Sequence, residues 1–123
     1  MLDLRRLWRY SKALFTGKLD EIGTPLQTAA FNGEIKKVRA LLDAGIVVDE
    51  VNKSSSLTPL ALAIFSGRIE VVRLLLERGA DTDGSGVVDA LAFAERRGRT
   101  QIVDLLAEEG AESARNVISK LRR

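Results

Sequence analysis

The chain has 123 residues, of which 46% are hydrophobic and 29% charged, and its formal net charge is +2. This length and composition are typical of one globular domain. The chain contains no cysteine and no histidine, which excludes disulfides, thiolate nucleophiles, imidazole bases and most zinc sites.

The sequence also lacks the apolar segments that membranes and secretion require. No stretch approaches the roughly 18 consecutive apolar residues of a membrane span. Basic residues interrupt the N-terminal apolar run, so we expect no signal peptide there. These residues are Arg5, Arg6, Arg9 and Lys12. We therefore expect a cytoplasmic protein.

The basic residues are concentrated at the two ends of the chain. Residues 1–20 carry five basic and two acidic residues, and residues 111–123 carry four and one. Each end therefore sums to +3, whereas the residues between them sum to −4. Two solvated, positively charged helices are the favoured interpretation, and an electrostatic binder of nucleic acid or of an anionic membrane is the alternative.

Residues 1–19 are predicted to form an N-terminal capping helix. Asp3 can cap this helix, Gly17 can end it, and large apolar side chains share one of its faces. They are Leu4, Leu7, Trp8 and Phe15. We expect this face to cover the end of the fold that follows, and the alternative is a basic amphipathic helix that lies on an anionic membrane surface.

The sequence then repeats a helical hairpin three times. Aligned glycines mark the middle of the three copies: Gly33, Gly67 and Gly98. Nine residues before each glycine stands a residue that can cap a helix: Thr24, Thr58 and Asp89. An alanine recurs four residues before each glycine, a valine five after it, a leucine eight after it and a second glycine twelve after it. Each copy therefore predicts two short helices, joined at the first glycine and ended at the second.

The copies resemble the ankyrin repeat, whose signature is T-P-L-H-x-A, a glycine, a second helix rich in Val and Leu, and a closing Gly-Ala. TPLQTAAFNG and TPLALAIFSG are near this pattern, and the third copy, DALAFAERRG, keeps its shape without the Thr and Pro. The histidine of the family is replaced by Gln27, Ala61 and Ala92. We expect the hydrogen bonds that this histidine makes between repeats to be absent or replaced, at some cost in stability.

The resemblance implies an all-α, ankyrin-type helix-turn-helix solenoid of three stacked repeats, with N- and C-terminal capping helices and short hairpin loops. We expect a single domain over residues 1–123. Its predicted segments are the N-terminal helix 1–19, repeat 1 at 20–53, repeat 2 at 54–84, repeat 3 at 85–114 and a C-terminal helix or tail at 115–123. Ser113 is the predicted cap of this last helix.

We find no catalytic or ligand-binding motif in the sequence. Asp81 and Asp83 are the best local pair of carboxylates, and we interpret them as part of a turn because no third ligand follows at a calcium-binding spacing. The Gly84-Ser85-Gly86 turn lacks the lysine of a phosphate-binding loop. We expect no enzyme activity, no metal and no cofactor.

The positions that ankyrin-like proteins vary between partners are the two residues before the mid-hairpin glycine, and the hairpin tips. The paired positions hold Phe31 with Asn32, Phe65 with Ser66, and Arg96 with Arg97. The tip positions hold Asp49, Lys53 and Ser55. The resemblance implies that the first residue of each pair points into the concave groove.

Phenylalanine and arginine are side chains that binding hot spots favour. We therefore expect Phe31 and Phe65 to be exposed in the free protein and to contribute little to folding. The alternative is that both rings fill space beside the core. The sequence predicts a non-enzymatic, monomeric module that binds another protein as a small inhibitor or adaptor, rather than nucleic acid or a membrane.

Overall fold

The computed structural model describes residues 23–51 and 56–122, which fold into seven α-helices. In chain order the helices are α1 (Pro25–Asn32), α2 (Ile35–Asp43), α3 (Pro59–Ser66), α4 (Ile69–Glu77), α5 (Val87–Arg96), α6 (Thr100–Glu108) and α7 (Glu112–Leu121). Helices α1 to α6 form three successive hairpins, and neither described range contains a β-strand. The predicted N-terminal helix, residues 1–19, lies outside the described residues.

The hairpins stack side by side in two layers. Helices α1, α3, α5 and α7 pack in that order to form what we call the front layer, and α2, α4 and α6 form the back layer. The aligned alanines and valines of the three copies are all fully buried. They are Ala29, Ala63, Ala94, Val38, Val72 and Val103. Each hairpin buries its apolar face against its neighbours, which confirms the predicted all-α helical repeat solenoid.

The predicted caps and turns form in the first two hairpins. The hydroxyls of Thr24 and Thr58 each accept a hydrogen bond of 3.2 Å from the backbone N–H three residues on. The mid-hairpin glycines Gly33, Gly67 and Gly98 have φ angles of 74°, 73° and 76°. A side chain with a Cβ is strained in this left-handed region, so glycine is the residue that permits the tight turn.

Gln27 stands where the family has a histidine, and it forms a hydrogen bond between repeats in place of that histidine. Its side chain is fully buried, and Nε2 donates to the carbonyl of Leu57 in the next repeat over 2.8 Å. Oε1 accepts the backbone N–H of Thr24 over 2.7 Å. The first repeat therefore keeps a polar joint to the second, which the alanines at 61 and 92 have no atoms to form.

The third hairpin begins differently from the prediction that Asp89 caps it. Helix α5 starts after Gly86, so Asp89 lies in its first turn. Gly86 has a φ of 85°, and a Cβ there would lie 1.9 Å from Cδ2 of Leu57 and 3.4 Å from Cβ of Ala61. A side chain at position 86 would be strained by the positive φ and would have to displace Leu57, so the contact with the second repeat favours glycine at this turn. Helix α5 begins at the next residue, Val87.

The C-terminal helix continues the front layer. Helix α7 packs on α5 much as α5 packs on α3, and it begins at Glu112, before the predicted start at residue 115. Ser113 is not its cap, because the cap position is Ala111. The buried Ser113 hydroxyl instead donates to the carbonyl of Thr82 over 3.2 Å, which ties α7 to the loop before α5.

Candidate protein-binding surface

The second and third hairpins each contain one arginine that bonds to the front-layer helix of the hairpin before it. Nε of Arg68 donates to the carbonyl of Phe31 over 3.3 Å, and Nη1 of Arg99 donates to the carbonyl of Phe65 over 2.8 Å. Both carbonyls belong to the last turn of a helix, where no backbone N–H is available to them within the helix. A cation is also favoured there by the helix dipole. The arginines thus hold the two predicted contact residues in place.

These arginines give the mid-hairpin glycines a second role. A Cβ on Gly33 would lie 2.7 Å from Cδ of Arg68, and one on Gly67 would lie 3.2 Å from Cζ of Arg99. Glycine therefore supplies both the positive φ and the room for the arginine. This contact was not predicted. Its signal in the sequence is an arginine directly after the glycine in the second and third copies, where the first copy has Glu34.

Phe65, Phe93 and Arg97 form one group, which we call the aromatic cluster. The rings of Phe65 and Phe93 have centroids 5.5 Å apart and planes inclined by 54°. Cζ of Arg97 lies 5.0 Å from the centroid of Phe93, within the range of a cation–π contact. Phe93 was not among the predicted site residues, because its contact with Phe65 joins two different repeats and no local pattern reveals it.

Phe31 and Phe65 are half-buried and pack against the core, so the expectation that they are exposed in the free protein is wrong. Of the residues that follow them, Asn32 is exposed at the end of α1. The Ser66 hydroxyl instead donates to carbonyls of its own helix, at 2.9 and 3.3 Å. Asn32 therefore presents a polar group to solvent, whereas the hydroxyl of Ser66 is used in hydrogen bonds within α3.

Arg96 lies in the position equivalent to Phe65, but it borders an open groove. This α5–α7 groove has a volume of about 250 Å³. It is lined by Val88, Ala92 and Arg96 of α5 and by Ser113, Asn116, Val117, Lys120 and Leu121 of α7. The two predicted arginines therefore point to different neighbours: Arg97 to the aromatic cluster and Arg96 to this groove.

At the hairpin tips, Asp49 has an internal partner. Its carboxylate accepts the backbone N–H of Asp81 at 3.1 and 3.3 Å, which joins the ends of the first two repeats. Oδ1 of Asp81 accepts the N–H of Asp83 over 2.9 Å, the local geometry of an Asx turn. The other tip residues of the predicted site, Lys53 and Ser55, lie outside the described residues.

The end of α7 is fastened by an arginine. Arg122 donates from Nε and Nη2 to the two carboxylate oxygens of Glu95, the second bond being 2.9 Å long, and from Nη1 to Asp104 over 2.7 Å. These hydrogen bonds, first to Glu95 and then to Asp104, raise the pKa of Arg122 above its ordinary value. The paired guanidinium joins α7 to both helices of the third hairpin.

The described part of the chain has neither a metal-binding cluster of side chains nor a helix that could span a membrane. Residues 23–51 and 56–122 hold no group of three His, Cys, Asp or Glu side chains that could bind a metal ion. Within the same two ranges, no helix has the length and apolar character needed to cross a membrane.

Comparison with known proteins agrees with the stacked hairpins. A family model described as ankyrin repeats in three copies matches residues 11–85, more than half of the chain. No curated protein matches the sequence. Members of the matched family generally serve as protein–protein interaction modules and are generally not enzymes. By this match and by its stacked helical hairpins, the chain belongs to the ankyrin repeat family.

Proposed function

We propose that this protein is a non-enzymatic module of the cytoplasm that binds one partner protein through its front layer and acts as a small inhibitor or adaptor. The observation that carries the proposal is the aromatic cluster, in which the rings of Phe65 and Phe93 are in tilted contact and Arg97 lies against the second ring. Aromatic and arginine side chains are the residues most enriched among binding hot spots. Asn32 and Arg96, both exposed, would form the polar rim of the contact.

The cluster is preorganised, which favours binding. The Phe65 carbonyl is held by Arg99, and both phenylalanines are half-buried in the free protein. A partner therefore meets rings that are already ordered. Binding does not have to supply the free energy of ordering them, which is about 0.5–1.5 kcal/mol per flexible side chain. The exposed Arg97 is the member that a partner would desolvate most.

The alternative of an electrostatic binder has less support. Among the basic residues of the C-terminal helix, Arg122 already bonds to Glu95 and Asp104, so its charge is compensated within the chain. Arg115 and Lys120 stay exposed. Phosphate-driven binding falls steeply between low and physiological salt, whereas a contact anchored by aromatic rings changes little. Salt dependence therefore separates the two functions.

The test is affinity capture from the native host with the tagged full chain and two charge-matched variants. Arg97→Glu changes the aromatic cluster, and Arg39→Glu makes the same charge change on an exposed position of α2 in the back layer. We expect the unmodified chain and Arg39→Glu to retain the same partner protein, and Arg97→Glu to lose it by about tenfold or more, a typical hot-spot effect.

Two results would contradict the proposal. Capture that Arg97→Glu leaves intact would place the binding surface elsewhere. An equal loss in both variants would indicate that net charge controls binding. Thermal unfolding followed by circular dichroism serves as the control for folding. Arg39→Glu should leave the melting temperature unchanged, and Arg97→Glu should lower it only slightly, because an exposed cation–π contact contributes about 0.5–1 kcal/mol.

A further inference from the structure

The α5–α7 groove leaves apolar surface open in the front layer. Val88 is 54% exposed and Leu121 is 39% exposed, although both are large apolar residues. They face a volume of about 250 Å³ with Ala92 and Val117 among its lining residues. An apolar cavity of about 150 Å³ suffices to bind a benzene ring, so this groove has room for one aromatic side chain and part of its backbone.

The residues at equivalent positions of successive front-layer helices explain why this groove is open. Helix α7 buries residues at the spacing of the buried residues of α5: Ser113, Ala114 and Val117 correspond to Ala90, Leu91 and Ala94. In this register Asn116 corresponds to Phe93, and Arg96 already corresponds to Phe65. The position filled by two phenylalanine rings between α3 and α5 therefore holds an arginine and an asparagine between α5 and α7.

The two ends of the groove also carry opposite charges. Ser113 bonds to the loop before α5, and Arg122 bonds to Glu95 near the end of α5, so the two helices run in the same direction. Arg96 and Lys120 consequently lie at the same end of the groove. Neither residue forms an ion pair within residues 23–51 and 56–122. The acidic residues in the first turns of the two helices lie at the other end.

We propose that the α5–α7 groove is a subsite for an acidic segment of a partner protein, which inserts one aromatic side chain over Ala92 and places a carboxylate between Arg96 and Lys120. The subsite rests on the proposed protein-binding function and specifies the chemistry of the partner. A ring inserted there takes the place that Phe93 takes beside Phe65 one repeat earlier. A basic segment is disfavoured, because it would bring like charges to Arg96 and Lys120.

The probe is a heptapeptide with blocked ends, in which one phenylalanine stands between two runs of three aspartates. It is titrated into the full, uniformly 15N-labelled chain, and amide shifts are followed by NMR because a single side chain and a few charges bind weakly. We expect saturable shifts at Ala92, Asn116 and Val117. A peptide with alanine for phenylalanine, or with lysine for every aspartate, should produce no saturable shifts at these amides.

Two variants test the groove itself. Lys120→Glu should weaken the peptide about threefold or more, since it replaces an attractive charge by a repulsive one at an exposed site. Asn116→Phe restores the ring found at the equivalent position of α5, so it should fill the groove and abolish the shifts. Asn116 is exposed, so this variant should fold. Lys37→Glu, at an exposed position of α2, is the matched control and should bind like the unmodified chain.

The proposal is overturned by shifts that centre on Phe65 and Phe93, by equal binding of the lysine peptide, or by peptide binding that Asn116→Phe and Lys120→Glu leave unchanged. These results concern the groove alone. If the peptide fails while Arg97→Glu still loses the partner from the host, the protein-binding function stands without this subsite. If the peptide binds while Arg97→Glu retains the partner, the groove stands and the aromatic cluster is not the main contact.

Discussion

The arginine contacts between repeats make a quantitative prediction about two glycines. Gly33 and Gly98 have almost the same φ, 74° and 76°. A Cβ on Gly98 would meet nothing within 4 Å, whereas a Cβ on Gly33 would lie 2.7 Å from Cδ of Arg68. Replacement of either glycine by alanine therefore introduces the same backbone strain, but only Gly33→Ala also displaces an arginine.

The magnitudes follow from these two effects. Alanine in the left-handed region costs about 1 kcal/mol, so Gly98→Ala should lower the free energy of unfolding by about that amount. Gly33→Ala should lose about 0.5–1 kcal/mol more, because displacing Arg68 breaks its hydrogen bond to the Phe31 carbonyl. Urea unfolding followed by circular dichroism resolves this difference when the slopes are equal.

A double-mutant cycle isolates the contribution of the arginine. In an Arg68→Ala background the extra loss should vanish, so that Gly33→Ala costs no more than Gly98→Ala does. Equal losses for the two glycines in the unmodified chain would refute the reasoning, because they would show that Arg68 moves aside without any loss of free energy.

Three further predictions concern contacts that join the front-layer helices. Phe65→Ala should lower the free energy of unfolding by roughly 2 kcal/mol in urea unfolding, since a half-buried ring leaves Phe93 and the core; an unchanged midpoint would show that the ring is outside the packed structure. Gln27→Ala should cost about 2 kcal/mol in the same assay, because it removes the side-chain hydrogen bonds to Thr24 and Leu57, and a loss below about 0.5 kcal/mol would mean that water replaces the amide. Arg122→Ala should speed amide hydrogen exchange in α7 without affecting α1, because α7 loses its bonds to Glu95 and Asp104; unchanged protection would show that Ser113 and apolar packing hold this helix alone.

The repeat in the sequence was sufficient to predict the hairpins and their order. Threonine, proline and glycine act within a few residues of their own position, so the caps at Thr24 and Thr58 and the positive φ at Gly33 and Gly67 follow from local chemistry. The same reasoning was wrong for Asp89. The start of α5 depends on how Gly86 packs on the second repeat, and no local pattern encodes that contact.

The candidate site was less predictable, because its contacts connect different repeats. The pairing of Phe65 with Phe93 and the bond from Arg99 to the Phe65 carbonyl both join residues 28 or more positions apart. Phe65 and Arg97 stand within the two residues before the mid-hairpin glycines, where a binding residue is expected, but Phe93 does not, so the alignment of the repeats gives no reason to select it. The expected exposure of Phe65 was too high, since the apolar surface that covers a ring comes from the neighbouring helix.

The most direct test of the protein-binding surface is photo-crosslinking in the native host. A photoreactive phenylalanine analogue is placed at Asn32 or Arg96, both exposed in the front layer, and at Arg39, exposed in the back layer. We predict that positions 32 and 96 crosslink to the same host protein and that position 39 does not. Crosslinks to lipid or nucleic acid, or to a protein from position 39 alone, would contradict the proposal that this ankyrin repeat protein binds a partner protein through its front layer.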